Sequence, residues 1–140
     1  MTSHTLPIPL PAREITISQE LIDAYAHVSG DFNTVHVDAA AGRAAGFGGT
    51  IAHGCIPIEP VFASIQAWLG TEVLPEGTAL RLRYRAPSRP GDVIRSDASV
   101  VRRSDDGMLA TVAFTCRNQH GTTVIDGECD LQQPGVPDEG

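Results

Sequence analysis

Residues 56–70 read IPIEPVFASIQAWLG and have the pattern of one long buried helix. Apolar residues occupy most of the circumference of this helix, and Gly70 is a natural stop. Pro57 and Pro60 are tolerated only in the first turn of a helix, so the helix is predicted to begin near Cys55 to Pro57. A helix that is apolar on nearly every side needs a surrounding layer to bury it.

The second half of the chain is predicted to supply that layer as β-strands. From residue 80 onward, apolar and polar residues alternate, which is typical of strands with one buried face. Turn-forming residues punctuate the alternation, such as Ser104-Asp105-Asp106-Gly107. Four long strands over residues 80–86, 93–101, 109–116 and 123–131 are expected to form a meander. A curved antiparallel sheet wrapped around one helix is an α+β arrangement.

The first half of the chain is predicted to hold a short strand and two helices. Residues 14–17 alternate as a strand does. Ser18 is a good N-cap for a helix that Gly30 can end, and Asp38 can cap a second helix over residues 39–45. The division expected is a loose Pro-rich arm over residues 1–13, a single domain over 14–132 and a flexible tail over 133–140.

Composition narrows the class of protein. The chain has 140 residues, enough for one domain, and a net charge of −7, which argues against binding to nucleic acid or to an anionic membrane. The sequence has neither the pattern of a signal peptide nor that of a membrane span, so the cytoplasm is the expected compartment. The 3 Cys residues lie far apart, so mostly buried free thiols are expected, with no metal and no other cofactor.

Asp31 and His36 lie five residues apart on a loop bounded by Gly30. Carboxylate and imidazole side chains are the usual groups for moving protons, and a loop of this kind can aim both at one water. In an extended reading of the loop, Val35 and Val37 are buried while His36 points to the opposite side. The alternative is structural, with an Asp that caps a turn and a packed His.

His53-Gly54-Cys55 precedes the long helix. Amides at a helix N-terminus are unpaired and carry partial positive charge, so they favour an oxyanion, and Gly54 has no side chain to obstruct a ligand. Each residue also has a structural interpretation: a helix entry that requires Gly54, a satisfied core His53 and a shallow core thiol at Cys55.

The segment from Tyr25 to His36, YAHVSGDFNTVH, resembles the signature loop of the MaoC-like (R)-specific enoyl-CoA hydratases. Residues 46–47 and 51–54 are similar to the family in place and spacing, as is the strand and turn over residues 84–92, which hot-dog thioesterases share. Thr34 departs from the family, which usually has Pro there. Residues 55–60 depart as well: Cys55 replaces a common Met, and the prolines that follow are unusual.

This resemblance implies a hot-dog fold, usually dimerised into one continuous sheet, and reversible hydration of enoyl thioesters of CoA or acyl carrier protein. It implies that Asp31 and His36 are the catalytic pair, that Asn33 is a supporting amide and that the Gly54 N–H is the oxyanion donor. The residues expected at the substrate are Ser29, Phe32, His53, Cys55 and Arg85.

Two other functions stay open from the sequence. A hot-dog thioesterase would need a carboxylate on the long helix, where Glu59 is the one candidate. A non-catalytic subunit of a hetero-oligomeric dehydratase would keep the fold without the chemistry. Four arginines could meet the phosphates of a carrier, although solvated strand faces are the better explanation for them: Arg81, Arg83, Arg85 and Arg89.

Overall fold

The computed structural model describes residues 5–133 as an antiparallel sheet with helices, which confirms the predicted α+β class. In chain order the elements are β1 (Ile8–Pro9), β2 (Glu14–Thr16), α1 (Gln19–Ser29), α2 (Thr34–Val37), α3 (Ala39–Ala44), α4 (Glu59–Leu69), β3 (Ala79–Tyr84), β4 (Val93–Arg103), β5 (Leu109–Arg117) and β6 (Thr123–Gln132). The strands lie in the order β1-β4-β5-β6-β3, and β2 also pairs with β4. No helix in this part of the chain is long and apolar enough to cross a membrane.

The helix α4 begins at Glu59, later than predicted. The preceding residues form tight turns, in which the Ile56 amide donates to the His53 carbonyl and the Glu59 amide to the Ile56 carbonyl. Pro57 has no N–H to enter an α-helical ladder, so regular helix starts only beyond it. Gly70 ends α4 in the left-handed conformation (φ 69°), as predicted.

Burial of α4 is one-sided. Val61, Ser64 and Ile65 are fully buried and form the face that packs on β4. Trp68 is only partly buried, and Ala67 is exposed. The sequence predicted burial on nearly every side, and this is wrong for the single chain, because its open sheet covers one side of the helix.

The sheet is not the predicted four-strand meander. β4, β5 and β6 follow one another as expected, but β3 pairs with β6 instead of β4. The turn after β3 therefore carries the chain across to the far edge, where the Gly91 amide donates to the Ile17 carbonyl. Gly127 on β6 lies opposite Leu82, and a Cβ there would clash with the Arg81 carbonyl oxygen. Because Gly127 has no side chain, β3 can lie close to β6. The turn residues that were used to predict the meander do not specify this pairing.

The N-terminal arm is wrongly predicted as loose for the residues that the structure describes. β1 pairs with β4, and the Leu10 amide donates to the Ala98 carbonyl while the Leu10 side chain is buried. The apolar residues of this arm therefore add to the sheet and core. Of the predicted tail, only Gln133 lies within the described residues.

The helix caps and the buried thiols were predicted correctly. The Ser18 hydroxyl caps α1, Gly30 ends it, and Asp38 caps α3. Cys116 and Cys129 are buried free thiols, and burial raises the pKa of Cys116 to about 12 and, as the main cause, that of Cys129 to about 11.

Candidate active site

The loop between α1 and α2 is shaped by side chains that bond to nearby backbone. Gly30 adopts a left-handed conformation (φ 77°), and the Ser29 hydroxyl accepts a hydrogen bond from the Asp31 amide. The Asp31 carboxylate accepts from the Asn33 amide, and the Asn33 side chain accepts from the Val35 amide and caps α2. Ser29 and Asn33 therefore hold the backbone that carries Asp31.

Residues 34–37 form a helical turn instead of the extended segment that the sequence predicted. Val35 is partly buried, as expected, but Val37 is exposed, because a helical turn does not place alternate residues on one side. The turn instead directs His36 toward the segment that follows α3.

The imidazole of His36 is held in one orientation. Its Nδ1 lies 2.8 Å from the Ile51 carbonyl oxygen, and because a carbonyl only accepts, Nδ1 carries the proton. In neutral His36 the lone pair is therefore on Nε2, which lies 3.9 Å from Oδ2 of Asp31. The His36 side chain is 12% exposed and that of Asp31 is 54% exposed, so this gap opens to solvent from the Asp31 side.

His53 lies behind His36 as a support. It is buried, its Nε2 donates to the Asp31 carbonyl oxygen at 2.8 Å, and its ring stacks on His36 with 3.9 Å between centroids. The ring of Tyr25 also packs against His53, with 4.7 Å between the two ring centroids. The Nδ1 of His53 is buried and has no hydrogen-bond partner within residues 5–133.

A cavity of about 470 Å³ opens beside His36. Its walls are mostly apolar, and the residues that line it are His36, Phe47, Ile51, Ala52, Gly54, Pro57, Tyr84, Arg85, Ala86, Pro87 and Ser88. Among the described residues, no group accepts a hydrogen bond from the Gly54 amide. A Cβ on Gly54 would lie 2.5 Å from the Tyr84 hydroxyl oxygen, so glycine is required for the Tyr84 ring to pack here.

Gly54 does not stand at the start of α4 as predicted. Four residues separate it from the first helical residue, Glu59, because Pro57 delays the helix. The partial charge of a helix terminus decays within one turn. The Gly54 N–H therefore lacks the support of the helix dipole that the sequence indicated.

The family model described as "MaoC like domain" matches residues 8–123. This chain belongs to that family.

Three relatives of this MaoC-like chain illustrate the likeness. An (R)-specific enoyl-CoA hydratase from Rhodospirillum rubrum is 30% identical over 85% of this chain and 81% of its own length. The fatty acid synthase subunit beta of Saccharomyces cerevisiae is 27% identical over 91% of this chain, but the match spans only 6% of that protein. The solved R-hydratase PhaJ1 from Pseudomonas aeruginosa is 30% identical with a TM-score of 0.73, covering 90% of this chain and 81% of that one. The predicted hot-dog fold is confirmed by this likeness.

The remaining residues that the sequence placed at the substrate lie in different positions. Arg85 lines the cavity, but its Nε donates to Asp126 at 3.0 Å. Phe32 is half exposed at the loop tip and packs edge-on against His27. Cys55 is exposed and does not line the cavity that holds His36.

Cys55 instead lies beside two tyrosines of the MaoC-like site. The neighbouring Cys55 thiol, followed by burial, raises the pKa of Tyr25. Burial, followed by the charge of Cys55, raises the pKa of Tyr84. Both phenols are therefore neutral hydrogen-bond donors at physiological pH.

Asp31, His36 and His53 each offer one ligand atom, and these atoms lie within 4.8 Å of one another. The two rings stack with only 27° between their planes. Lone pairs of imidazole nitrogens lie in the ring plane, so two nearly parallel stacked rings direct them side by side instead of toward one ion. The arrangement suits proton transfer better than metal binding.

The sequence did not predict that Gln19, Thr50 and Tyr84 belong to the site. Gln19 bonds to both the His36 backbone and Thr50, and neither residue belongs to a motif. Tyr84 was predicted only as a residue of an alternating strand and of the strand and turn that resembles the family, with no role at the site. The sequence signal for Tyr84 was the glycine at position 54, because a residue without a side chain leaves room for a ring to pack against it.

Proposed function

We propose that this chain is a hydro-lyase that reversibly adds water to trans-2-enoyl thioesters and gives (R)-3-hydroxyacyl thioesters. CoA or acyl carrier protein is the carrier. The observation that carries the proposal is the 3.9 Å gap between His36 Nε2 and Asp31 Oδ2, beside the cavity that Gly54 lines. The MaoC-like family and the R-hydratase relatives support it.

The gap between Asp31 and His36 has the size and chemistry to hold a water. A separation of 3.9 Å is too long for a direct hydrogen bond but allows one water to bond to both groups. The carboxylate of Asp31 and the Nε2 lone pair of neutral His36 are both acceptors. A water between them donates both of its hydrogens, so its own lone pairs face the substrate.

Hydration then proceeds with one bond broken for each bond formed. The water oxygen bonds to Cβ of the enoyl group, and its proton passes to the Asp31–His36 pair. The double-bond electrons move into the thioester, whose oxygen becomes an enolate that accepts a hydrogen bond from the Gly54 amide. The Asp31–His36 pair then returns a proton to Cα on the same face, which restores the pair to its starting state, and dehydration is the reverse.

Glu59 offers little support for hydrolysis as an alternative. It is exposed at the start of α4 and is not among the residues that line the cavity, whereas a thioesterase would need that carboxylate at the thioester. We further propose that the chain forms a homodimer in the cytoplasm. The edge strand β3, with Leu80 and Tyr84 exposed, is the surface that would continue the sheet.

The test is hydration of crotonyl-CoA, followed by loss of the absorbance of the conjugated thioester and by the chirality of the product. Asp31→Asn and His36→Ala are each expected to lower kcat by about 10²- to 10⁴-fold, because Asn has no carboxylate to take the proton of the water and Ala has no imidazole. The wild-type product is expected to be the (R)-3-hydroxy thioester.

Matched controls separate chemistry from charge and folding. Asp38→Asn removes a carboxylate from the same region while the amide keeps the cap of α3, and His120→Ala removes an exposed imidazole from the β5–β6 turn. Both should retain wild-type turnover. Near wild-type turnover by Asp31→Asn and His36→Ala would contradict the proposal. Release of free CoA would favour hydrolysis, and activity that appears only after mixing with a paralogue would favour a non-catalytic subunit.

A further inference from the structure

Gln19, the first residue of α1, joins three segments around the candidate active site. Its Nε2 donates to the His36 carbonyl oxygen at 2.9 Å and to Oδ1 of Asp23 at 2.9 Å. Its Oε1 accepts from the Thr50 hydroxyl at 2.6 Å. Gln19 is partly buried and Thr50 is buried, so water competes little for the bond to Thr50.

The orientation of the Gln19 amide is fixed by its partners. The His36 carbonyl and the Asp23 carboxylate are both acceptors only, so the NH₂ group must face them. The amide oxygen then faces Thr50, whose hydroxyl donates to it. A flipped amide would set oxygen against two oxygens, which makes the observed direction of this hydrogen-bond chain the stable one.

This chain of hydrogen bonds ends on the groups that hold the His36 ring. The Ile51 carbonyl, next to Thr50, accepts from His36 Nδ1, and the Ile51 amide donates to the Val35 carbonyl. Gln19 and Thr50 thus fasten the backbone of His36 to the segment that leads directly into Gly54. The direction in which His36 Nε2 points depends on that attachment.

We propose that Gln19 and Thr50 are a positioning pair that sets the His36 imidazole relative to Gly54. The inference rests on the proposed hydration, in which His36 must reach a water while the Gly54 amide reaches the thioester oxygen. Neither member of the pair touches the substrate. Loss of the pair should reduce kcat with little change in KM, since the cavity itself remains.

Four variants test the pair by kinetics. Thr50→Val deletes the hydroxyl at nearly constant shape, and Gln19→Met deletes every hydrogen bond of the amide, so each should lower kcat about 10-fold while KM stays within about 2-fold. Thr50→Ser keeps the hydroxyl and should rescue kcat to within about 2-fold of wild type. The double variant Gln19→Met/Thr50→Val should lose little more than either single variant, because both act through one chain of bonds.

Thr111→Val is the matched control. It deletes a hydroxyl that donates to Asp130 at 2.8 Å on the sheet, and it should leave kcat unchanged. The proposal would be overturned if Thr50→Val lost no more kcat than Thr111→Val does. It would also be overturned if Thr50→Ser lost as much kcat as Thr50→Val, or if only KM changed.

A readout that does not need activity separates this proposal from the proposed function. Imidazole ¹⁵N spectra of wild type should show neutral His36 as the Nδ1–H tautomer, and Thr50→Val should show a mixture of both tautomers. If wild type hydrates no enoyl thioester, the proposed function fails and these spectra decide alone on the positioning pair. Identical His36 spectra in wild type and Thr50→Val would then reject it.

Discussion

The segment from Ser29 to Gly54 and the exposed face of β3 and β6 are both rich in polar side chains, yet these bond to different partners. In the segment, side chains bond to backbone: His36 to the Ile51 carbonyl and His53 to the Asp31 carbonyl. On the sheet face, exposed side chains bond to one another, as Arg81 does with two acidic residues. Bonds to backbone fix positions, whereas exposed ion pairs contribute little stability.

Substitutions in the two regions should therefore affect different properties of the protein. A change around His36 or Gly54 should reduce turnover and leave unfolding nearly unaltered. A change in the packing of β3 on β6 should reduce stability and leave turnover intact at temperatures where the chain is folded. Glycines occur at critical points of both regions, and they allow the same substitution to be made in each.

Of the two glycine substitutions, Gly54→Ala should have the larger effect on activity. The new Cβ would lie 2.5 Å from the Tyr84 hydroxyl oxygen and would occupy the cavity wall beside the proposed oxyanion donor, so kcat/KM should fall about 10²-fold. The half-exposed Tyr84 side chain can move, so the free energy of unfolding should change by less than about 1 kcal/mol. Gly54→Ala/Tyr84→Ala should regain part of the activity. Full activity in Gly54→Ala would contradict the role of this amide.

Gly127→Ala should show the opposite pattern. Its Cβ would meet the backbone of β3 at Arg81, which cannot rotate away as a side chain can. The free energy of unfolding should fall by about 1–3 kcal/mol in urea titrations, with turnover preserved in the absence of urea. A stable variant with reduced turnover would show that the sheet and the site are coupled.

Arg81→Gln should have the smallest effect. Arg81, followed by Thr111, holds the pKa of Asp130 below its usual range, so this pair contributes stability at neutral pH that is lost as the pH falls and Asp130 is protonated. The variant should be only slightly less stable than wild type near pH 7, and the difference should shrink as the pH falls and Asp130 is protonated. Arg83→Gln is the control, since Arg83 has no ion pair within the described residues. A difference that grows in acid would contradict the sign.

Local features of the fold could be read from the sequence because they depend on neighbouring residues. Ser18 and Gly30 bound α1, and alternation marks β4, β5 and β6. Pairing of β3 with β6 could not be read, because it depends on contacts distant in the sequence, such as Gly127 against Leu82.

The same distinction holds for the candidate site. Asp31, His36 and Gly54 were singled out by residue type and spacing, and the structure gathers them around one gap and one cavity. Gln19 and Thr50 could not be found that way, because an amide and a hydroxyl 31 residues apart carry no signal until the chain folds. The start of α4 was misplaced because the apolar pattern begins before Pro57, which cannot join the helical hydrogen bonds.

The central claim is that Asp31 and His36 act as a unit on one water. The measurement that tests it most directly is a double-mutant cycle of crotonyl-CoA hydration with Asp31→Asn, His36→Ala and the double variant. If the pair shares one water, each single variant loses about 10³-fold in kcat and the double variant loses about the same amount. Losses that multiply, to about 10⁶-fold in the double variant, would contradict the shared water.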